Sequence, residues 1–299
     1  MKDFLEISTV GSEGLEAILE YAGADLPAVL AGKGVALVFE KPSLRTRSSS
    51  EMAAVALGAH PVYITDAEVG IDKRESAEDI AKVLAGYHSA IAARVFDHRV
   101  LERMANALRV QGEDVPVINL LSDRSHPCQA VADLITVKQQ FGSVRGVEIA
   151  YVGDSNNVAL SLAEAAALAG ASVKIASPEG YGFDVATRQA LAGLGDVSFG
   201  TDPVEAVRGA RVVYTDTWTS MGQEEETVER RAAFGSGFQV DSALMAKAAK
   251  DAIFMHCLPA HRGEEVTSEV MDSPVSVIYR QAANRMPAFK AVLFWAVTG

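Results

Sequence analysis

Short apolar runs alternate with helix-like segments along most of the chain, and this alternation restricts the possible folds more than any other feature. The runs form two series, at residues 35–39, 62–64, 89–95 and 116–120, and at residues 147–152, 172–176, 197–199 and 212–215. A repeated strand–helix pattern predicts a parallel sheet with helices on both faces. Two such series in 299 residues predict two α/β domains, each with a mainly parallel sheet flanked by helices and joined by interdomain helices.

The same pattern indicates where the domains divide. We expect the first domain to comprise residues 1–134 together with a C-terminal helix at 285–299, which crosses back to it. The second domain should then comprise residues 135–284.

Two local features are also predicted. Ser12 and Ser76 are candidate helix N-caps, and the polar stretch 65–76 is expected to be a loop.

Composition narrows the class of protein. A formal charge of −12, from 27 basic and 39 acidic residues, argues against general affinity for nucleic acid or anionic membranes. No apolar run reaches the roughly 18 residues of a membrane helix, and the N-terminus does not resemble a secretory signal. The two cysteines form no framework or metal motif, so we expect a cytoplasmic protein without a bound metal.

The segment 34–58 combines an apolar run, a polar turn and the start of a helix that is rich in hydroxyl groups and arginines. Unpaired amides and the helix dipole favour an anion at such a terminus, and arginine forks match phosphate oxygens. The sequence from Ser43 to Arg47 therefore predicts an anion site. The alternative is a surface helix with a capping box formed by Ser48 and Glu51.

Other polar residues also follow predicted strands, and loops at the carboxyl ends of parallel strands gather at one edge of a sheet. Arg94 is a candidate cation for a phosphate or an oxyanion, although a lone arginine is usually a solvated surface residue. His126 and Gln129 can donate to a carbonyl oxygen, whereas a buried structural histidine is the alternative. Asn156 and Asn157 offer amide groups to a substrate carboxylate or amine.

Two later segments carry further candidates. Asp216 can hold an ammonium group, and Gly222 suggests a mobile loop after it. Cys257 is a nucleophile, a polar contact or an inert buried thiol. The loop after residue 152 lacks the Gly-x-Gly-x-x-Gly spacing, which argues against a nicotinamide dehydrogenase.

Four ordered motifs together resemble the aspartate and ornithine carbamoyltransferase family over nearly the whole chain. Ser43 to Arg47 resembles its Ser-Thr-Arg-Thr-Arg motif, and His126 to Gln129 its His-Pro-x-Gln motif. Asp216 to Gly222 and His256 to Pro259 resemble the two motifs of the ornithine-specific branch. The resemblance implies transfer of a carbamoyl group from carbamoyl phosphate to the side-chain amine of L-ornithine, giving L-citrulline and phosphate without a cofactor.

The resemblance also implies roles for individual residues. The implied catalytic residues are Arg45, Arg94, His126 and Cys257. The implied carbamoyl phosphate ligands, mainly in the first domain, are Ser43, Leu44, Arg45, Thr46, Arg94, His126, Gln129, Cys257, Leu258 and Arg285. The implied ornithine ligands, in the second domain, are Asn157, Asp216, Ser220 and Met221. The family further implies a homotrimer, or a multiple of trimers, and a place in arginine metabolism.

Two positions depart from the family pattern. Leu44 replaces a threonine, which costs little if the backbone amide is what binds. Glu68 stands where a glutamine is expected to reach carbamoyl phosphate, often from the adjacent subunit. A carboxylate there calls for a cationic partner such as Lys73 or Arg74. Weaker binding of carbamoyl phosphate, or a different amine acceptor, therefore stays open. A paralogue that binds without catalysing is a separate alternative.

Overall fold

The computed structural model describes residues 2–219, 224–235 and 237–299, which separate into two compact units. The first unit comprises Met1–Ile135 with Ala283–Gly299, and the second comprises Thr136–Ala282. Each contains one parallel sheet with helices around it, which confirms the predicted fold class.

Strands and helices alternate through both units. From the N-terminus the elements are α1 (Gly11–Ala22), β1 (Gly34–Phe39), α2 (Leu44–Ala56), β2 (His60–Thr65), α3 (Asp66–Val69), α4 (Ala77–Ala85), β3 (Ala90–Arg94), α5 (His98–Gln111), β4 (Val117–Leu121) and α6 (Pro127–Phe141). They continue with β5 (Glu148–Val152), α7 (Asn157–Leu168), β6 (Ser172–Ala176), α8 (Val185–Leu194), β7 (Val197–Gly200), α9 (Pro203–Val207) and β8 (Val212–Thr215). The last are a 3₁₀ turn (Glu224–Glu226), α10 (Thr227–Phe234), α11 (Ser242–Met245), β9 (Ile253–His256), α12 (Ser268–Met271), α13 (Ile278–Ala283) and α14 (Arg285–Thr298).

The first sheet has the strand order β2-β1-β3-β4, with all of these pairs parallel. From Val35 to Phe39 every residue of β1 is buried, because a central parallel strand is covered on both faces. Helix α14 returns to this unit and packs against α1 and α2. The carboxyl ends of β1 and β3 therefore lie beside the start of α14.

The second sheet has the strand order β7-β6-β5-β8-β9, again with parallel pairs. The order in which strands are added reverses at β5: β6 and β7 lie on one side of it, and β8 and β9 lie on the other. Ligands in open α/β sheets bind at such a switch point, outside the carboxyl ends of the strands. The loops after β5, β8 and β9 are thus the candidates within this unit.

The helix ends test two predicted caps. Ser76 caps α4 as expected, because its hydroxyl accepts a hydrogen bond from the Asp79 amide at 3.1 Å. The prediction for Ser12 is wrong, since α1 already begins at Gly11 with Val10 before it. Gly11 has a φ of +71°, a conformation that turns the chain into the helix one residue earlier than the serine suggests.

Candidate active site

The turn between β1 and α2 places a helix N-terminus at the carboxyl edge of the first sheet. Ser43 is the N-cap in extended conformation, and its hydroxyl accepts from the Thr46 amide at 3.4 Å and donates to Thr46 Oγ1 at 3.1 Å. The Leu44 side chain is 82% exposed, so that residue can contribute to a site here only through its backbone. The N-terminus of a 13-residue helix thus lies at the predicted anion position, with the Thr46 amide already bonded to Ser43.

The alternative capping box at Ser48 is wrong. Helix α2 starts at Leu44, so Ser48 lies in its second turn, where no helix start needs a cap. Glu51 instead accepts from Arg47 Nε at 2.8 Å, an i,i+4 ion pair on the exposed side of the helix. The Arg47 guanidinium also lies 3.7 Å from the centre of the Tyr63 ring. These contacts occupy Arg47 away from the helix N-terminus.

Arg285 links three predicted site residues that are far apart in sequence. Its guanidinium donates to Gln129 Oε1 at 2.6 Å and to Thr46 Oγ1 at 2.9 Å, and Nη1 lies 3.3 Å from His126 Nε2. All four side chains are buried. The starts of α2, α6 and α14 therefore meet at one polar cluster inside the first unit.

The electrostatics of this cluster hold His126 neutral. Burial lowers the pKa of His126 well below its usual value of 6.5, and the positive charges of Arg285, Arg94 and Arg45 lower it further. Because a guanidinium only donates, Nε2 accepts from Arg285 and the ring proton belongs on Nδ1. The structure thus surrounds one neutral imidazole with three cations, an arrangement that suits a phosphate or an incipient oxyanion.

Gln129 is held at both ends of its amide. Its oxygen accepts from Arg285, and its nitrogen donates to Asp133 Oδ1 at 2.8 Å. If this amide binds a substrate, it must therefore either share or give up its bond to Arg285 or to Asp133. Arg94, the last residue of β3, is buried at the carboxyl edge of this sheet, so the alternative of a solvated surface residue is wrong, and its role as a ligand stays a prediction.

Glu68 has a structural partner that the sequence reasoning missed. Its carboxylate accepts from the Thr65 amide at 2.7 Å and from the Thr65 hydroxyl at 2.8 Å, and these two bonds lower its pKa. These bonds cap the short helix α3, so the prediction of a loop throughout 65–76 is wrong for Asp66–Val69. The expected carboxylate partners are otherwise engaged: Lys73 pairs with Asp66, and Arg74 donates to the backbone oxygen of Glu68.

In the second unit Asp216 lies just past the end of β8 and is buried. Its Oδ2 accepts from Asn156 Nδ2 at 2.9 Å, and its Oδ1 accepts from Cys257 Sγ at 3.1 Å. The loops after β5, β8 and β9 are therefore joined through one carboxylate. Because both donors are neutral, no cation among these contacts occupies the side chain, an arrangement that suits a substrate ammonium group.

Asn156 contacts Asp216 directly, and its side chain has a second function. It also caps α7, since its Oδ1 accepts from the amides of Val158 and Ala159 at 2.9 and 3.0 Å. Asn157 is the first residue of that helix and is half-buried, so its role as an ornithine ligand stays a prediction. Ser220 and Met221, the other predicted ligands, lie outside the described residues.

The segment after β9 has a fixed backbone. The amide of Leu258 donates to His256 Nδ1 at 2.9 Å, so Nε2 carries the proton and faces Glu265 Oε1 at 3.2 Å. His256 and Glu265 are fully buried. Leu258 has a φ of +62°, which is unusual for a residue with a side chain, and the bond to Pro259 is cis. His256 thereby orders the backbone at Cys257 and Leu258.

Arg230 is a further residue of this region that sequence reasoning did not single out. Its guanidinium donates to Asp154 Oδ2 at 2.8 Å and to the Trp218 carbonyl at 3.1 Å, and it pairs with Glu226 at 2.8 Å. Burial raises the pKa of Asp154, although the Arg230 charge opposes that change. The arginine ties the loop after β5 to the loop after β8. The i,i+4 spacing of Glu226 and Arg230 is the one sequence feature that could have indicated an ion pair here.

Two general properties bear on the class of protein. Among the described residues, no helix is both long and apolar enough to cross a membrane. Asp216, His256 and Cys257 bring ligand atoms within 4.8 Å of one another, a grouping that a metal could use. The hydrogen bonds among these residues and their neighbours account for the grouping without one, so the expectation of no metal stays a prediction.

Comparison with known proteins agrees with this geometry. Residues 2–139 match the family model described as "Aspartate/ornithine carbamoyltransferase, carbamoyl-P binding domain", and residues 145–296 match the corresponding "Asp/Orn binding domain". The chain belongs to the aspartate/ornithine carbamoyltransferase family.

Individual relatives fall mostly in the ornithine branch of that family. The chain is 46% identical over 301 residues to an ornithine carbamoyltransferase of Thermus thermophilus, covering 98% of this chain and 95% of that protein. The solved ornithine carbamoyltransferase of Pyrococcus furiosus superimposes with a TM-score of 0.90 at 46% identity, covering 98% and 96% of the two chains. A solved N-acetyl-L-ornithine transcarbamylase mutant gives a TM-score of 0.83 at 28% identity, with 98% and 99% covered.

Proposed function

We propose that this protein transfers the carbamoyl group of carbamoyl phosphate to the side-chain amine of L-ornithine, giving L-citrulline and phosphate. The observation that carries the proposal is the buried cluster around Arg285, in which Thr46, His126 and Gln129 converge and three guanidiniums surround one neutral imidazole. Names of relatives at 42–49% identity support ornithine as the acceptor.

Carbamoyl phosphate is assigned to the first unit. The phosphate binds the N-terminus of α2 through the backbone of Ser43 and Leu44, the Thr46 hydroxyl and the Arg45 guanidinium. The carbamoyl oxygen, which gains negative charge during the reaction, is stabilised by Arg94, His126, Gln129, Arg285 and Thr46. Donors that are already in place before the reaction need no reorganisation, and each contributes about 3–4 kcal/mol in comparable sites.

Ornithine is assigned to the second unit. Asp216 holds the α-ammonium group, as its two neutral donors leave the charge available. Asn157, Ser220 and Met221 bind the rest of the amino-acid end. The fixed backbone at Cys257 and Leu258 lies next to the amine that reacts, where its carbonyl oxygens accept the amine protons and the cysteine acts as a polar contact.

The chemistry needs no covalent intermediate. The uncharged side-chain amine adds to the carbamoyl carbon, the C–O bond to phosphate breaks, and the proton lost from nitrogen ends on phosphate. A free alkyl ammonium has a pKa of about 10, so the site must favour the neutral amine by removing water and by its cationic surroundings. Holding both substrates in the reactive geometry supplies the rest of the acceleration.

Three broader assignments belong to the same proposal. The domains are residues 1–134 with 285–299 for carbamoyl phosphate, and residues 135–284 for ornithine. The protein works in the cytoplasm as a homotrimer or a multiple of trimers. Its product enters arginine biosynthesis, in keeping with the relative of Pyrococcus furiosus that is named anabolic.

A panel of amines tests the proposal. Carbamoyl phosphate-dependent ureido product is measured with L-ornithine, N-acetyl-L-ornithine, putrescine and L-aspartate, and kcat/KM is compared. We expect ornithine to rank first. If another amine ranks higher, the acceptor is wrong; if calorimetry shows binding of carbamoyl phosphate with no turnover on any amine, the chain binds without catalysing.

A further inference from the structure

The segment before α1 lies along the edge strand of the first sheet. The Phe4 amide donates to the Val117 carbonyl at 2.9 Å, and the Asn119 amide donates to the Phe4 carbonyl at 2.8 Å. Asn119 Nδ2 also donates to the Leu5 carbonyl at 2.9 Å. Because the segment runs parallel to β4, its next residue, Glu6, arrives at the carboxyl end of that strand, where the turn leading to His126 begins.

Glu6 is a buried carboxylate that faces two cationic or potentially cationic groups. Its Oε1 lies 2.9 Å from Arg124 Nε and 3.1 Å from His98 Nε2, and its Oε2 accepts from the Ser8 hydroxyl at 3.3 Å. Burial raises the pKa of Glu6, but the hydrogen bond to His98 and the charge of Arg124 outweigh burial and bring it below its usual value. The carboxylate is therefore charged at neutral pH.

Both partners of Glu6 act on the turn before His126. Arg124 belongs to the turn itself. His98 bridges to it, because its Nδ1 lies 2.8 Å from Ser122 Oγ. The same hydroxyl accepts from the Ser125 amide at 3.2 Å. One connection therefore runs from Glu6 directly to Arg124, and a second runs through His98 to Ser122 and Ser125, on either side of Arg124.

Two other readings of this cluster fail on accessibility and geometry. Glu6, His98 and Ser122 form a carboxylate–imidazole–hydroxyl array, yet Ser122 is completely buried and its oxygen is already shared with Ser125 and Asn119. A substrate cannot reach such a hydroxyl. Glu6, His98 and Glu102 also group their ligand atoms, but the Arg124 guanidinium takes the place that a cation would need.

We propose that Glu6, acting through Arg124 and His98, is a positioning residue that holds the turn 122–126 and so fixes where the His126 ring presents itself to the carbamoyl group. The inference rests on the proposed function of His126. Displacements of about 1 Å at a reacting centre cost up to a hundredfold in rate. A less rigid turn should therefore lower kcat/KM for carbamoyl phosphate before it affects the KM for ornithine.

The kinetic test uses Glu6→Gln, Arg124→Gln and the double variant, with Asp79→Asn as the control. Arg124 is 56% exposed, so its substitution puts little of the fold at risk. Asp79 forms an exposed pair with Lys82 in the same unit. We expect each single variant to lose about tenfold in kcat/KM for carbamoyl phosphate and to keep its KM for ornithine. The double variant should lose no more than the worse single variant, because the two residues act as one unit.

Several results would overturn the inference. Full kcat/KM in Arg124→Gln, a double-variant loss equal to the product of the single losses, or an equal rise in both KM values would each do so. A Glu6→Gln protein that melts far below the wild type would leave Arg124→Gln to decide.

A spectroscopic measurement separates this inference from the proposed function. In ¹⁵N-histidine spectra, the His126 signals are assigned by their disappearance in His126→Gln. They should shift in Arg124→Gln and stay in place in Asp79→Asn, whether or not the wild type turns over ornithine. Unmoved His126 signals in Arg124→Gln would refute the positioning role even if the enzyme is active. If the signals move in Arg124→Gln but the wild type shows no turnover, the result counts against the proposed reaction alone.

Discussion

Replacing Asp216 with asparagine removes one negative charge from the second unit and leaves the shape of the side chain almost unchanged. In the wild type both carboxylate oxygens accept, one from Asn156 and one from Cys257. In the variant one terminal atom is an amide nitrogen, which no longer accepts. If the remaining oxygen stays towards Asn156, the nitrogen faces the sulfur of Cys257, and we expect a loss of only about 1 kcal/mol in stability.

The effect on ornithine should be larger. A hydrogen bond that involves a charged group contributes about 1.5–3 kcal/mol, and the α-ammonium group loses such a bond in Asp216→Asn. That range corresponds to a rise of about 10- to 150-fold in the KM for ornithine. The KM for carbamoyl phosphate should change by less than about threefold, because its proposed ligands around Arg285 belong to the other unit.

Initial rates of ureido product, with each substrate varied at saturating levels of the other, measure both constants. Asp272→Asn is the matched control, since it removes a carboxylate of the same unit that pairs with Arg262 and is largely exposed. An unchanged KM for ornithine in Asp216→Asn would refute the assignment of the ammonium group. Equal increases in both KM values would instead indicate a general loss of structure.

Three further substitutions test other parts of the structure. Arg285→Gln should lower kcat by about 10²- to 10³-fold. It should also raise the pKa of His126, because a positive neighbour is removed; NMR titration would show this, and an unchanged pKa would contradict the cluster geometry. Because the pKa of His126 is lower in the folded protein than in the unfolded chain, the free energy of unfolding of the wild type should rise as the pH rises towards about 6.5. This rise should be smaller in Arg285→Gln. Glu68→Gln should keep or improve activity in the same rate assay, and a collapse would show that the carboxylate has a role of its own. Arg230→Met should cost about 3–5 kcal/mol in urea unfolding, because Asp154 stays buried without its partner; adding Asp154→Asn should restore part of that loss, and no recovery would argue against the ion pair.

The sequence predicted the strands well because each is a short apolar run between polar turns. The runs at 172–176 and 212–215 coincide with β6 and β8 as the structure has them. Every residue of β8 is buried, which explains its continuous apolar run, whereas β6 is half-buried at Ser172 and Lys174. The short helices α11 to α13 were not predicted, because segments of four to six residues carry too little periodicity to be distinguished from loops.

The sequence indicated which residues belong to the candidate site better than it indicated the contacts among them. Arg94 and Asp216 were singled out because each lies at the end of a strand, and Arg285 through the family resemblance; their roles in the site stay predictions. Asn156 was predicted only as a substrate amide, and its contacts to Asp216 and to the start of α7 were missed because a capping asparagine has no distinct sequence signal. The roles of Glu6 and Glu265 depend on residues brought together by folding, so neither had a local signal.

The bond between Arg285 and Thr46 joins positions 239 residues apart, and its consequence concerns synthesis on the ribosome. The strands and helices up to α5 leave the exit tunnel early and have time to fold. The guanidinium that completes their polar cluster emerges only after the entire second unit has been translated. A chain that stalls after α6 but before Arg285 would carry Thr46, His126 and Gln129 without their shared donor, so such incomplete products should be unable to consume a reactive phosphorylated metabolite.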